Sequence, residues 1–372
     1  MKIAAGFITY GNSTARYLPY FLKSLKDQTF KNFEIIALDN SEEENNQNKN
    51  FILKNYPEIN FSWAGSNLGF AKGYNEMIEA ARRRGAEYFL ALNPDMILEP
   101  ETLEKLVLAV EADGDIGAAQ PKILKWDFMA LKRHSEAEGR EIPFGNPTIS
   151  ESLTQGGIQD DGRDLGKTNI IDSFGLVVDK KFRFYDRFQG DAEESHPAAG
   201  REEVFGFTGA AVLFRVKALE DTAFNNHGRK EYFDGSMFMY KEDCDLSYRL
   251  RLAGFKTILV SEAIVYHDRT AASLGSGFWQ TLKNRRNKSR SVKKWSFLNQ
   301  WIMLLKFKDA MPEEVRKESY NYYLKASIFI LFFEPYLLKQ VWELWKIRKE
   351  IKKRRQTLSV RINMEEMEKF IS

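Results

Sequence analysis

Apolar and polar positions along this chain fall into blocks that switch between two periods. Residues 3 to 9 form a continuous apolar run, which predicts a buried strand. After the polar turn Tyr10-Gly11-Asn12-Ser13-Thr14, Leu18, Phe21, Leu22 and Leu25 recur at i, i+3, i+4 and i+7. That is the spacing of an amphipathic helix, and Pro19 sits in its first turn, where a missing N–H does little harm. Strands are expected again at 34–38 and 59–63, and a glycine-punctuated turn at 65–73 leads into a helix carrying Met77, Ile78 and Ala81. A fourth strand at 88–92 ends in Asn93-Pro94-Asp95. It is followed by a helix from about Glu101, with Leu103, Leu106, Val107 and Val110 on one face, and by a fifth strand at 116–123. Strands and helices alternating at these lengths predict an α/β fold with a mostly parallel central sheet and helices on both faces. Ligands of such sheets sit beyond the carboxyl ends of the strands. The polar clusters at 10–12, 39–41 and 93–95 all fall there.

The second half is less regular. Residues 126–167 are polar and weakly periodic, and read as an excursion or lid over the ligand face. Residues 170–178 and 182–188 predict a hairpin across Asp179-Lys180-Lys181, and 204–207 lead into an element ending at Arg215. Two short strands are expected at 257–260 and 263–266, the second delivering His267. Between them lies Tyr240-Lys241-Glu242-Asp243-Cys244-Asp245-Leu246-Ser247-Tyr248-Arg249. If a helix starts at Glu242, a step of about 100° per residue puts Asp243, Leu246 and Leu250 on one inward stripe. Asp245 lies opposite, expected at the surface and paired with Arg249 at i,i+4. The simpler reading of these acids is that they cap a helix and match its dipole.

Composition narrows the picture. At 372 residues the chain has room for two domains, and 43% hydrophobic with 29% charged residues describes an ordinary globular protein. The net charge of +3 names no partner, but seven Lys or Arg fall in 283–294 and seven more in 346–355. With Trp279, Trp295, Trp301, Trp342 and Trp345 interleaved, the character changes near 275. The expected division is an α/β domain over 1–275 and a helical extension over 276–372. Cys244 is the lone cysteine, which excludes an internal disulfide and a multi-cysteine metal site. No leader and no run of ~20 apolar residues is evident, so a cytoplasmic protein without a standard spanning helix is expected. The basic, aromatic extension, apolar but Pro-broken at 326–338, leaves two readings open. Its helices lie on the inner face of an anionic membrane, or they pack against the core or a second copy in a homo-oligomer. Nucleic acid is set aside, since no binding motif accompanies the charge.

Candidate chemistry sits at the strand ends. Asp39 can accept from a nucleobase N–H or a ribose hydroxyl, or else only shape a turn. In Asn67-Xaa-Gly69-Xaa-Xaa-Xaa-Gly73-Xaa-Asn75 the glycines allow close backbone approach to a ligand, or a tight turn into a helix. Asp95 offers hard oxygens to a divalent metal bridging a diphosphate, and His267 a neutral imidazole. No G-x-G-x-x-G follows the first strand, and neither a P-loop nor a G-x-S-x-G elbow occurs, which counts against dehydrogenase, P-loop nucleotidase and α/β-hydrolase classes.

In order along residues 3–270, these pieces resemble the family 2 glycosyltransferases with a GT-A fold. They are Phe7-Ile8-Thr9-Tyr10, Asp39-Asn40-Ser41, the 67–75 motif, Leu92-Asn93-Pro94-Asp95, Gly209-Ala210-Ala211, the acidic helix and Val265-Tyr266-His267. The nearest likeness is to bacterial rhamnosyltransferase-like or galactofuranosyltransferase-like enzymes of cell-surface polysaccharide assembly. The resemblance implies a UDP- or dTDP-sugar donor, bound by Thr9, Tyr10, Asp39, Asn67, Gly69, Gly73 and Asn93. It implies Mg²⁺ or Mn²⁺ on Asp95 and His267, Asp243 as catalytic base, and a glycan or lipid-linked acceptor with Glu242 on the acceptor side. Asn93 departs from the family's D-x-D, where an acid would stand, which puts metal dependence in question. A Q-x-x-R-W motif is missing, which favours non-processive transfer. A sugar nucleotidyltransferase and a non-catalytic nucleotide-sugar-binding protein are the competing classes.

Overall fold

The computed structural model describes residues 2–130, 166–198, 200–269 and 289–372. Strand β1 (Ile3–Thr9) leads through two helices, α1 (Gly11–Ala15) and α2 (Leu18–Lys26), to β2 (Phe33–Asp39). Then come α3 (Gln47–Asn55), β3 (Asn60–Trp63), α4 (Gly69–Arg83), β4 (Tyr88–Leu92), β5 (Met96–Leu98), α5 (Thr102–Glu111) and β6 (Ile116–Trp126). After the span 131–165, which is outside the described residues together with the lid expected there, come β7 (Lys167–Ser173) and the hairpin β8 (Leu176–Val178) and β9 (Phe184–Asp186). The chain continues through β10 (Arg201–Val204), β11 (Ala211–Arg215), α6 (Val216–Thr222), a hairpin of β12 (Phe224–Asn226) and β13 (Arg229–Glu231), α7 (Glu242–Leu252) and β14 (Lys256–His267). Helices α8 (Arg290–Phe307), α9 (Glu313–Phe333), α10 (Lys339–Gln356) and α11 (Met364–Glu368) complete it.

The main sheet runs β10-β14-β6-β11-β4-β1-β2-β3. Its β3-β2-β1-β4 portion is parallel, as the alternating pattern predicts, and β14 pairs parallel with β6. Between them β11 runs antiparallel to both β4 and β6, a reversal that chain order alone does not reveal. The two short strands expected around 257–266 are one strand, β14, with a register shift between Val260 and Ile264. That irregularity absorbs the polar Ser261-Glu262 pair that made the run look like two strands.

Side chains alternate across β1. Ile3, Ala5 and Phe7 pack with Leu18, Phe21, Leu22 and Leu25 of α2, while Ala4 joins Met77 and Ile78 of α4 on the other face. Leu246 and Leu250 of α7 belong to that second core, as the helical stripe predicts, but Asp243 at the head of the stripe is partly exposed. The opposite side of α7 is covered as well. Cys244, Tyr248 and Leu252 pack with Leu298, Ile302, Met303 and Phe307 of α8 and Ile351 of α10. The extension is therefore built onto the back of the acidic helix.

Candidate active site

Because β1, β2 and β4 are parallel and in register, with Thr9 beside Asp39 and Phe7 beside Leu92, their polar ends share one edge of the sheet. Asp39 is fully buried there, and its oxygens accept from Thr9 Oγ1 at 3.0 Å, Ser41 Oγ at 2.7 Å and Asn46 Nδ2 at 2.5 Å. It organises the loop that follows β2, with Thr9 also buried and Tyr10 exposed at the rim. Asn67 accepts from the Gly69 N–H at 2.9 Å, and Gly69 has φ +75°. A Cβ on Gly69 would lie 2.3 Å from the Phe238 carbonyl oxygen, which itself accepts from Phe70 N–H at 2.8 Å. This glycine thus seats the loop that precedes α7. Gly73 does different work, since its Cβ would meet Ile8 and Leu38, so it lets α4 pack close on the sheet.

Asn93 and Asp95, on the β4–β5 connection, line a cleft of about 250 Å³ together with Ser13, Thr14, Arg16, Tyr17 and Pro94. His267 is delivered to Asp95 by the pairing of β14 with β5. Its Nδ1 lies 2.8 Å from Asp172 and its Nε2 3.3 Å from Asp95. Burial disfavours the imidazolium, but Asp95 and Asp172 outweigh it and raise the ring to about 10. Asp95 Oδ1, the oxygen that faces His267 Nε2, is buried and has no closer polar partner. Between these carboxylates the ring favours its protonated form, and a divalent cation would bind in place of the Nε2 proton, with Asp172 still fixing Nδ1. No cluster of three or more His, Cys, Asp or Glu suited to a metal occurs among the described residues. Two protein ligands suit an ion whose remaining positions go to phosphate and water.

Three residues at this site were not marked by the sequence reading. Asp172 on β7 and Arg269 just past β14 extend the array. Arg269 Nε is 3.2 Å from Asp172, and its other nitrogens reach Asp186 at 2.5 Å and Thr208 Oγ1 at 3.3 Å. Burial works against the Asp172 carboxylate, yet His267 and Arg269 hold it below its usual range. Arg16, on the cleft wall, keeps a buried Nε without a partner. The only sequence signal for Arg269 was its position two residues after His267.

Asp243 closes the array from the other side. Its Oδ2 accepts from the Gly209 N–H at 3.1 Å, next to the Thr208 that meets Arg269, and its Oδ1 from Cys244 N–H at 2.8 Å. Asp243 is partly exposed, whereas Glu242 is only 6% exposed, with Oε2 unpartnered. Burial first, then the charge of Asp243, raises the Glu242 carboxyl well above its ordinary range. Burial and the neighbouring carboxylate thus favour the uncharged form of Glu242. The backbone before them is strained, with Tyr240 at φ 68° and Lys241 at φ 70°, neither a glycine. Asn299 of α8 donates to the carbonyls of Met239 and Tyr240, at 2.9 and 2.7 Å, and pins that turn.

Asp245 corrects the sequence reading. It pairs with Arg249 at 2.8 Å as expected, but both are buried and not at the surface. Lys306 of α8 also contacts Asp245, because the extension covers the face of α7 that the pattern assigned to solvent.

Two family models match the chain. The one described as glycosyl transferase family 2 covers residues 7–158, and the one described as glycosyl transferase family group 2 covers 164–312. Among solved structures, S. aureus TarS is similar at 17% identity and TM-score 0.46, over 86% of this chain and 50% of that one. The chain therefore spans half the length of that relative. A structure of TarS residues 1–349 in complex with UDP-GlcNAc is similar at 14% identity and TM-score 0.48, over 91% and 78% of the two chains. GalNAc-T7 with UDP, GalNAc and Mn²⁺ is similar at 14% identity and TM-score 0.48, over 89% and 57%. No curated protein matches.

Proposed function

We propose that this chain, matched over most of its length by the two glycosyl transferase family 2 and family group 2 models together, is a GT-A family 2 glycosyltransferase, inverting and non-processive, with Asp243 as its base. The donor is a UDP- or dTDP-sugar of rhamnose-like or galactofuranose-like kind, and the acceptor a hydroxyl of a glycan or lipid-linked saccharide in cell-surface polysaccharide synthesis. One observation carries the reading. An unbroken run of contacts joins Asp243, through Gly209 and Thr208, to Arg269, Asp172, His267 and Asp95 along one edge of the sheet.

Asp243 takes the proton of the acceptor hydroxyl as that oxygen attacks the anomeric carbon, and the bond to the nucleoside diphosphate breaks on the opposite side. Glu242, whose uncharged form is favoured by its burial, is available as a hydrogen-bond donor on the acceptor side. Asn67 and Gly69 shape the turn over the donor, while Asn93 and Arg16 line the cleft that takes its phosphates. Asp95 and His267 would hold Mg²⁺ or Mn²⁺, which supplies charge neutralisation to the departing diphosphate. Asp172 fixes the His267 ring, and Arg269 ties that carboxylate to the Asp243 side of the site.

Asp243→Asn tests the assignment. Donor binding, followed by thermal shift over a panel of nucleotide-sugars with and without Mn²⁺, should survive. Transfer should fall at least about a hundredfold. Turnover near the wild-type rate would end the assignment. Release of pyrophosphate in place of nucleoside diphosphate would point instead to nucleotidyl transfer.

A further inference from the structure

Away from the site, α9 and α10 carry their apolar residues on the outside. Leu324, Ile328 and Leu331 recur at i, i+4 and i+7 along α9, followed by Phe332 and Phe333, which are 72% and 70% exposed. Beyond the break at Pro335, Leu338, Val341, Trp342 and Trp345 repeat the helical spacing at i, i+3, i+4 and i+7, with Trp342 57% exposed. The two tryptophans are stacked at 4.8 Å, and Phe329 stacks on Phe333 at 4.6 Å, so the surface is made of ordered aromatic pairs. Exposed apolar area of this extent on a globular protein marks an interaction site.

The charge around it identifies the partner. Residues 324–353 hold seven Lys or Arg and three Glu. All three glutamates are engaged, Glu334 by Lys293, Glu343 by Lys346 and Glu350 by Arg354. Lys325, Lys339, Arg348, Lys349, Lys352 and Lys353 are exposed around the apolar stripe. Arg348 lies 3.8 Å over the Trp345 ring, an arrangement that keeps the cation at the edge of the aromatic surface. A second copy presenting the same face would bring cation against cation. An anionic bilayer supplies both an apolar layer and negative charge, and Trp with Lys or Arg is the composition of helices lying in that interface. No described helix is long and apolar enough to cross a membrane.

We propose that the outer face of α9 and α10 docks this enzyme on an anionic lipid surface, with the apolar stripe in the headgroup boundary and the cations on lipid phosphates. This deepens the proposed function by selecting a lipid-linked acceptor, presented in the plane where the enzyme is held.

The test is flotation of the full chain with vesicles of phosphatidylcholine and phosphatidylglycerol, against phosphatidylcholine alone. The wild type should float with the anionic vesicles at low salt, less at high salt, and little with neutral ones. The double variant Trp342→Ser, Trp345→Ser should bind at least about tenfold more weakly, with its melting temperature unchanged. Wild-type protein that stays at the bottom at low salt overturns the proposal. So does a double variant that floats like the wild type, or a wild-type dimer that the substitutions dissolve without any vesicle binding. The assay needs neither donor nor turnover, so a protein that floats yet transfers no sugar counts against the proposed reaction and leaves the docking surface standing.

Discussion

The two faces of the C-terminal helices each depart from the usual rule. Their inner face buries charge, and their outer face exposes tryptophan and phenylalanine. Inside, Lys306 is fully buried between Asp234 and Asp245, and Arg354 meets Asp234 and lies 2.7 Å from Glu231. Arg249 completes the cluster from α7, donating to the Thr222 and Tyr232 carbonyls at 2.6 Å each. Outside, an apolar stripe faces water. The basic surplus of the last quarter is thus two populations. Lys306 and Arg354 are partners of buried acids on and around α7, while Lys325, Lys339, Arg348, Lys349, Lys352 and Lys353 rim the exposed apolar stripe. Fixing α7 from behind leaves its amino-terminal end, with Asp243, free to face the strand ends.

The largest effect should come from the inner face. Lys306→Met leaves Asp234 and Asp245 with one cation each in a dry interior, and should destabilise by about 3–5 kcal/mol in denaturant unfolding. A cost below about 1 kcal/mol would mean that the apolar core of Tyr248, Ile302 and Phe307 fixes α7 without help from the ions.

Next is Asn299→Leu, which leaves two carbonyls of the strained 239–241 turn without donors. A loss of about 1–3 kcal/mol is expected, with a fall in turnover larger than the rise in KM if the turn acts, as proposed, by positioning Asp243. An unchanged kcat would show that the turn holds its left-handed residues unaided.

Glu242 is a buried acid near this cluster whose charged form is disfavoured by burial and by Asp243. Its unfolded carboxyl ionises near the ordinary 4.5 and its folded one well above. Between those values the folded chain holds the extra proton. That contribution to stability is complete below about 4.5 and is lost as the pH rises through the folded value. Glu242→Gln has no proton to lose, so its stability should fall less than that of the wild type as the pH rises above about 5. Its transfer rate should stay within about threefold, against the hundredfold loss for Asp243→Asn. Parallel stability curves would show that Glu242 is ionised in the folded chain.

Much of this was legible in the sequence, and the exceptions share a cause. Convergence of Thr9, Asp39, Asn93 and Asp95 followed from parallel strands of matched length, which apolar runs reveal directly. Asp172 and Arg269 were invisible because β7 pairs with β6 across the 131–165 span, and no local pattern records a partner so distant. Asp245 was misplaced because a helical wheel finds the inward face only when another face is wet. Every residue of α7 except Asp243 is buried, so its periodicity carries no contrast. Asp39 shows the same limit, since a carboxylate at a strand end reads alike whether it faces a ligand or side chains of the neighbouring strand and its own loop.

The smallest stability effect is expected on the outer face, and it tests the comparison most directly. Trp342 is 57% exposed, and its main neighbours are Trp345, stacked at 4.8 Å, and Lys346 at 5.9 Å from its ring. Truncating it in Trp342→Ala exposes no core and orphans no buried group, so stability should move by no more than about 0.5 kcal/mol. A residue of this size buried in an interior would cost about 3–5 kcal/mol on the same change. If differential scanning of Trp342→Ala shows a loss of the larger kind, this face is already covered in the free protein. The apolar stripe would then be core and not an exposed docking surface. If the loss stays within the smaller bound, the tryptophan does nothing for the fold, and its apolar area remains free for a partner.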